Sequence, residues 1–194
     1  MDYPLQLSFK VMALAPQISV TDARGQLVFY VKQKLMKLKE SVSVYDDTKQ
    51  SQLRYTINAD KVIDFSARYH FADADGSTLG AVQRQGLRSL WRAHYDILDA
   101  NQHVLTINEA NPWVKIADHV LGEIPILGMF ANYVFHPAYI VSRVTGTEVM
   151  RLTKQPAFFE SKFLITKHNA LTPHEETLAL LSLLMMTLLE RRRG

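Results

Sequence analysis

No cysteine occurs among the 194 residues, which excludes disulfides, thiolate metal sites and cysteine nucleophiles. The seven histidines, at positions 70, 94, 103, 119, 136, 168 and 174, show neither an HxxxH spacing nor an HExxH zinc motif. His94 and His103 fall in strand-like runs, where a satisfied structural role is the ordinary one. There is no GxSxG elbow, so nucleophilic serine chemistry has no signature here. GSTLGAVQRQG carries glycines but not the GK[ST] of a phosphate loop, and it reads as a hairpin followed by a bulge. Asp73 and Asp75 resemble the start of a calcium loop, yet the remaining ligands and the distal Glu are missing. No catalytic residue, metal site or cofactor is expected. An enzyme would need a dispersed site that no motif reveals.

A strong charge of one sign is also missing. The net charge is +3, short of what a dedicated nucleic-acid binder carries, so no specific nucleic-acid partner is expected. A chain of this length suits a single domain, residues 1–194, with a substantial core. At the N-terminus, MDYPLQLSFKVMALAPQ has an early Asp2 and places Lys10 inside its apolar run. A signal peptide wants basic residues first and an uninterrupted apolar stretch after them. The segment therefore reads as a strand, and the expected compartment is the cytoplasm.

Long hydrophobic runs are scarce, with one exception near the C-terminus, HEETLALLSLLMMTLLERRRG. Ten of the twelve residues from Leu178 to Leu189 are apolar, and they face every side of a helix. Those twelve span about 18 Å as a helix, against roughly 30 Å of bilayer hydrocarbon. Extending the run upstream brings in Glu175 and Glu176, which are costly at membrane depth. Thr172 suits an N-cap, Pro173 the first helical position, and Glu175 completes a capping box. Arg191, Arg192 and Arg193 sit where the helix dipole favours cations. A tail anchor is the alternative; the better reading is a central helix over 173–191, buried all round.

Upstream the chain reads as strands. Turn signals recur as TDARG at 21–25, YDDTK at 45–49, ADADG at 72–76, LDANQ at 98–102 and VTGT at 144–147. Each separates runs rich in Val, Ile, Tyr, Phe and Leu, and Asp and Gly are the residues that tight hairpins require. From Asp22 the turns advance by 24, 27 and 26 residues to Asp46, Asp73 and Asp99. Two strands and their connections fill such a period, giving about eleven or twelve antiparallel strands. A regular meander of that size tends to close, because closure removes exposed edges. Its lumen would be too wide for its own side chains to fill, and an all-apolar helix is a suitable plug. The expected fold is mainly β (α+β): a closed, roughly 12-stranded antiparallel β-barrel around a central hydrophobic C-terminal helix.

Three stretches carry a family resemblance: ISVTDARGQLVFYVKQKLMKLKESVSVYDD, GSTLGAVQRQGLRSLWRAHYDILDANQ and the hydrophobic C-terminal helix. With them the chain resembles the tubby C-terminal-like superfamily, nearest its LURP-one-related and phospholipid-scramblase-like branch. That resemblance implies a barrel of about twelve strands closed around a central hydrophobic helix. It also implies binding of phosphoinositide through basic residues on the barrel surface. The sequence differs from the pattern by a helical insert over 111–137. Asn111 and Pro112 form an N-cap pair, and Trp113, Ile116, Ala117, Val120 and Leu121 share one face. The insert reads as a cap over one barrel end. Residues 112–135 are also the candidate surface for a homo-oligomer, a protein partner or a membrane contact.

Two basic clusters remain as binding candidates. Lys32, Lys34, Lys37 and Lys39 lie in VKQKLMKLKE, and Arg84, Arg88 and Arg92 lie in QRQGLRSLWRAH beside Trp91. Clustered ammonium and guanidinium groups attract phosphates, and an adjacent Trp can sit at an interface; a solvated charged face is the plainer reading. The expected function is a non-enzymatic binding or scaffold protein, with an anionic membrane surface as its candidate partner and a peripheral location there. The alternatives are an enzyme with a dispersed site, or a small-molecule carrier if the lumen is unfilled.

Overall fold

The computed structural model describes residues 1–10, 17–32, 41–60, 67–86, 93–110, 138–157 and 160–190. Twelve strands run β1 (Leu5–Lys10), β2 (Gln17–Thr21), β3 (Leu27–Lys32), β4 (Ser41–Tyr45), β5 (Leu53–Ala59) and β6 (Arg68–Asp73). They continue as β7 (Thr78–Arg84), β8 (His94–Asp99), β9 (Gln102–Glu109), β10 (Ala138–Arg143), β11 (Glu148–Gln155) and β12 (Glu160–Lys167). Each pairs antiparallel with its neighbours in sequence, and β1 pairs with β12 to close the barrel. Among the described residues one helix, α1 (Pro173–Glu190), follows. The expected fold is the observed one. The insert over 111–137, and Arg191 at the expected helix end, lie outside the described residues.

Asp and Gly make the hairpins for a specific reason. Asp22 Oδ1 accepts the N–H groups of Arg24 and Gln26, both at 3.0 Å, and Gly25 takes φ 77°. The same carboxylate-capped turn recurs at Asp73, whose Oδ1 accepts from Asp75 at 3.1 Å and Ser77 at 2.8 Å, with Gly76 at φ 85°. A third copy keeps the backbone and changes the side chain. Arg143 N–H donates to the Thr147 carbonyl and Gly146 N–H to the Arg143 carbonyl, both at 2.8 Å. At each of these hairpins the register slips by one residue, a bulge that sharpens the twist. In the β4–β5 connection the capping carboxylate belongs to Asp47, which accepts from Lys49, Ser51 and Gln52. Asp46, the residue on which the sequence spacing falls, instead pairs with Arg54 at 2.8 Å.

Alternation sorts the strand residues. Leu5 and Leu7 of β1, Leu152 of β11 and Ile165 of β12 face the lumen and are almost wholly buried. Around α1, every residue from Leu178 to Leu188 is buried. The helix starts as its sequence dictates: Glu175 N–H donates to Thr172 Oγ1 at 3.2 Å, and Thr172 N–H donates to Glu175 Oε2 at 2.9 Å. These are the two reciprocal bonds of a capping box. At Gly80 of β7 helix and wall approach closely. A Cβ there would stand 2.8 Å from Leu178 Cδ2 and 2.4 Å from the Leu98 carbonyl oxygen. Among the described residues no helix is long and apolar enough to cross a membrane.

Candidate functional site

Alternating strand direction gives the barrel two unlike ends. All even-numbered strands finish at one end, where the short connections 22–26, 46–52, 74–77, 100–101 and 144–147 lie. This turn end also receives the N-terminus of α1. At the far end lie the strand termini that flank residues 11–16, 33–40, 61–66, 87–92, 111–137 and 158–159. Glu190, the last residue of α1, lies there too.

Ion pairs fasten α1 at the turn end. Arg143, released from the capping role that Asp22 and Asp73 fill, places Nη1 2.6 Å from Glu175 Oε1 and donates from Nη2 to Oε2 at 3.3 Å. This hydrogen bond, and then the one from the Thr172 N–H, hold the Glu175 carboxyl down at about 2. Lys167 Nζ donates to Glu176 Oε2 at 2.8 Å, and the Tyr3 hydroxyl donates to Oε1 at 2.7 Å. Burial, reinforced by Glu176, pushes the Tyr3 hydroxyl far above its ordinary value. His174 Nε2 lies 3.3 Å from Asp99 Oδ1. This arrangement fastens the start of α1 to the barrel wall.

At the far end several polar groups face inward around the end of the helix. Arg84 shares the lumen-facing parity of Val82. Its Nη2 lies 3.6 Å from Glu190 Oε1, and its guanidinium stands 5.9 Å from the centroid of the Tyr95 ring. The Tyr95 hydroxyl donates to the same Glu190 oxygen. Tyr139 pairs in register with Glu109, and burial, then the Glu109 and Glu190 carboxylates, push its hydroxyl up to about 12. Lys154, on the face of Leu152, adds a second inward cation near this end.

Lys32 and Arg84 both close odd-numbered strands but face opposite ways, and the stagger of β3 against β4 sets Lys32 beside the 46–52 turn. Lys32 closes β3 and is exposed, because buried Phe29 and Val31 take the inner face; its carbonyl accepts from Gln50 Nε2 at 3.1 Å. Lys34, Lys37, Lys39, Arg88 and Arg92 lie outside the described residues. Strand parity was the available signal for Lys154, whereas Lys10 and Lys162 reach the far end only through strand direction.

Elsewhere, the Nε2 atoms of His94 and His103 approach Asp96 Oδ1 at 3.5 and 3.4 Å on the outer wall, and Gln85 donates to Asp96 Oδ2. Among the described residues no group of three or more His, Asp or Glu side chains could hold a metal ion.

A family model described as LURP-one-related matches residues 27–177. The match runs from the first residue of β3 into the first turns of α1, so it takes in most of the barrel. No curated protein and no solved structure matches the chain.

Proposed function

The chain belongs to the LURP-one-related family, and from that premise we propose that it is a non-enzymatic binding or scaffold protein for phosphate-bearing ligands. Anionic phospholipid is the foremost of these, which would make the protein peripheral at the cytoplasmic face of a membrane. The observation that supports the reading is the sequence placement of the basic residues. Lys32 and Arg84 close β3 and β7, and Lys34, Lys37 and Lys39, and Arg88 and Arg92, follow them in the chain. Basic residues clustered after two strand ends suit a phosphate surface better than a small apolar ligand. A carrier of apolar molecules would need the lumen that α1 occupies.

Co-sedimentation with neutral, phosphatidylserine-containing and phosphoinositide-containing vesicles, across a range of salt, tests the reading. Binding should appear only with the anionic vesicles and weaken as salt rises. Replacing Lys32, Lys34, Lys37 and Lys39 by Ala should cost about 1 kcal/mol for each residue that reaches the surface. Wild-type protein that ignores both anionic vesicles and inorganic phosphate at low salt would remove the proposal.

A further inference from the structure

Eleven of the twelve ladders that close the barrel pair four to six residues each. Between β3 and β4 the ladder holds a single pair, Tyr30 opposite Tyr45. Tyr45 is the last residue of β4, so Leu27, Val28 and Phe29 run past the end of that strand. The 46–52 connection does not continue the ladder, because its polar groups are occupied within itself. Asp46 N–H donates to the Gln52 carbonyl at 3.0 Å, and the Asp47 carboxylate accepts from the N–H groups of Lys49, Ser51 and Gln52 at 2.7, 2.9 and 2.8 Å.

Side chains stand in for the missing pairs. The rings of Phe29 on β3 and Tyr55 on β5 meet edge to face, 5.8 Å between centroids. The Arg54 guanidinium stands 5.6 Å from the Phe29 centroid and 5.4 Å from that of Tyr55, and Asp46 holds it at 2.8 Å. Gln50 Nε2 donates across the seam to the Lys32 carbonyl at 3.1 Å. Arg54 and Asp46 are 45% and 39% exposed, and cation–π contacts and ion pairs in water each contribute little. A full ladder instead satisfies the backbone along two strands and removes their edges. The plug is held elsewhere. Tyr3, Arg84, Tyr95, Asp99, Arg143 and Lys167, which fasten α1, all belong to the arc from β7 through β12 to the residues before β1.

We infer that the barrel opens sideways at the β3–β4 seam, with Arg54, Phe29, Tyr55 and Gln50 as its clasp, while α1 stays fastened to the other arc. Opening uncovers Val31, Val42 and Val44, the inner residues of the two seam strands, which are at most 1% exposed in the closed barrel. It is a local event, confined to the part of the wall with the fewest backbone bonds to break. The junction of the two ends of the sheet, β1 with β12, holds six pairs and is not the weak point. The inference is independent of the phosphate-binding reading.

The chain has no cysteine, so one introduced thiol reports on one position. Val44→Cys places it on β4 opposite Tyr55, beneath the clasp, and Val141→Cys places it on β10, where burial is equally complete. Cysteine packs as a small apolar residue. Circular dichroism and thermal unfolding establish that the variants fold, and Val42→Cys is a further reporter at the seam. In native buffer an aromatic disulfide reagent should label position 44 about ten-fold faster than position 141. Adding Arg54→Ala should speed labelling at 44 several-fold more and leave 141 unchanged. Equal rates at the seam and on β10 would overturn the inference: both slow means a closed seam, both fast means global opening. Acceleration at both positions by Arg54→Ala would overturn the clasp, since that residue would then stabilise the whole barrel.

Discussion

Arg84 and Glu190 meet inside the far end of the barrel, Nη2 to Oε1 at 3.6 Å, and so join the last residue of β7 to the last residue of α1. A carboxylate at a helix C-terminus opposes the macrodipole by about 0.3–1 kcal/mol. The guanidinium and the Tyr95 hydroxyl offset that cost at the same oxygen. A basic residue that reads as a free surface cation in the sequence is thus partly spent on holding the plug.

Arg84→Ala should therefore act on stability as well as on ligand binding. It leaves a half-buried carboxylate without its cation, a loss of about 1–2 kcal/mol. For a chain of this size, thermal unfolding should move down by about 2–8 °C. Repeating the substitution in a Glu190→Gln background should cost much less, since the charge to be neutralised is gone. Strict additivity in that double-mutant cycle would show that the two residues do not couple.

The Glu175–Arg143 pair should give the fold an acid dependence of definite sign. The Glu175 carboxyl lies below its ordinary 4.5, at about 2, because Arg143 and the Thr172 N–H favour the ionised form. The unfolded chain then binds the proton more readily than the folded one. The stabilisation is fully present above about pH 4.5 and is lost as pH falls toward 2. Water reaches the pair, so the gain falls well short of the full value of the shift. Wild type and Glu175→Gln should differ in Tm at pH 7 and converge near pH 2. A gap that stays constant across this range would refute the assignment.

Much of this architecture is legible in the sequence. Asp22 and Asp73 mark their hairpins because a carboxylate capping two N–H groups, followed by a residue of positive φ, is a local solution needing no tertiary help. Thr172 and Glu175 announce the helix for the same reason. The hairpin at Arg143 shows where local signals stop. Its backbone repeats the Asp22 turn, but its side chain is chosen by Glu175, 32 residues away. The orientation of Arg84 is decided in a related way. Its parity with Val82 is plain in the sequence, yet which parity faces inward depends on closure around α1. Long-range partners decide such faces, and no window of sequence contains them.

Gly80 should be intolerant of any side chain. Its inner face meets Leu178 of the plug, and a Cβ would stand 2.4 Å from the Leu98 carbonyl oxygen. Gly80→Ala should destabilise by about 1–3 kcal/mol, the ordinary cost of overpacking a core. Pairing it with Leu178→Ala should recover little, because the tighter contact is with backbone that cannot rotate away. Full recovery in the double variant, measured by urea unfolding, would show that the wall can shift.

Removing the plug should be worse than any single substitution. Leu178, Leu181, Leu183, Leu184, Met185 and Met186 are at most 1% exposed, and burying each large side chain is worth roughly 1.5–3 kcal/mol. A domain's net stability is about 5–15 kcal/mol, so the barrel without α1 has no margin to lose them. It would also enclose a lumen wider than its own side chains can fill. Residues 1–171 should therefore collapse or aggregate when expressed alone. Leu184→Asp should approach the same outcome, because it sets a carboxylate at mid-helix among apolar neighbours with no partner. The opposite behaviour would belong to a tail that sits outside its domain: truncation would release a soluble fragment with an undiminished transition. Solubility and thermal unfolding of 1–171 distinguish the two, and a cooperative, soluble fragment would mean that α1 is not what holds the barrel open.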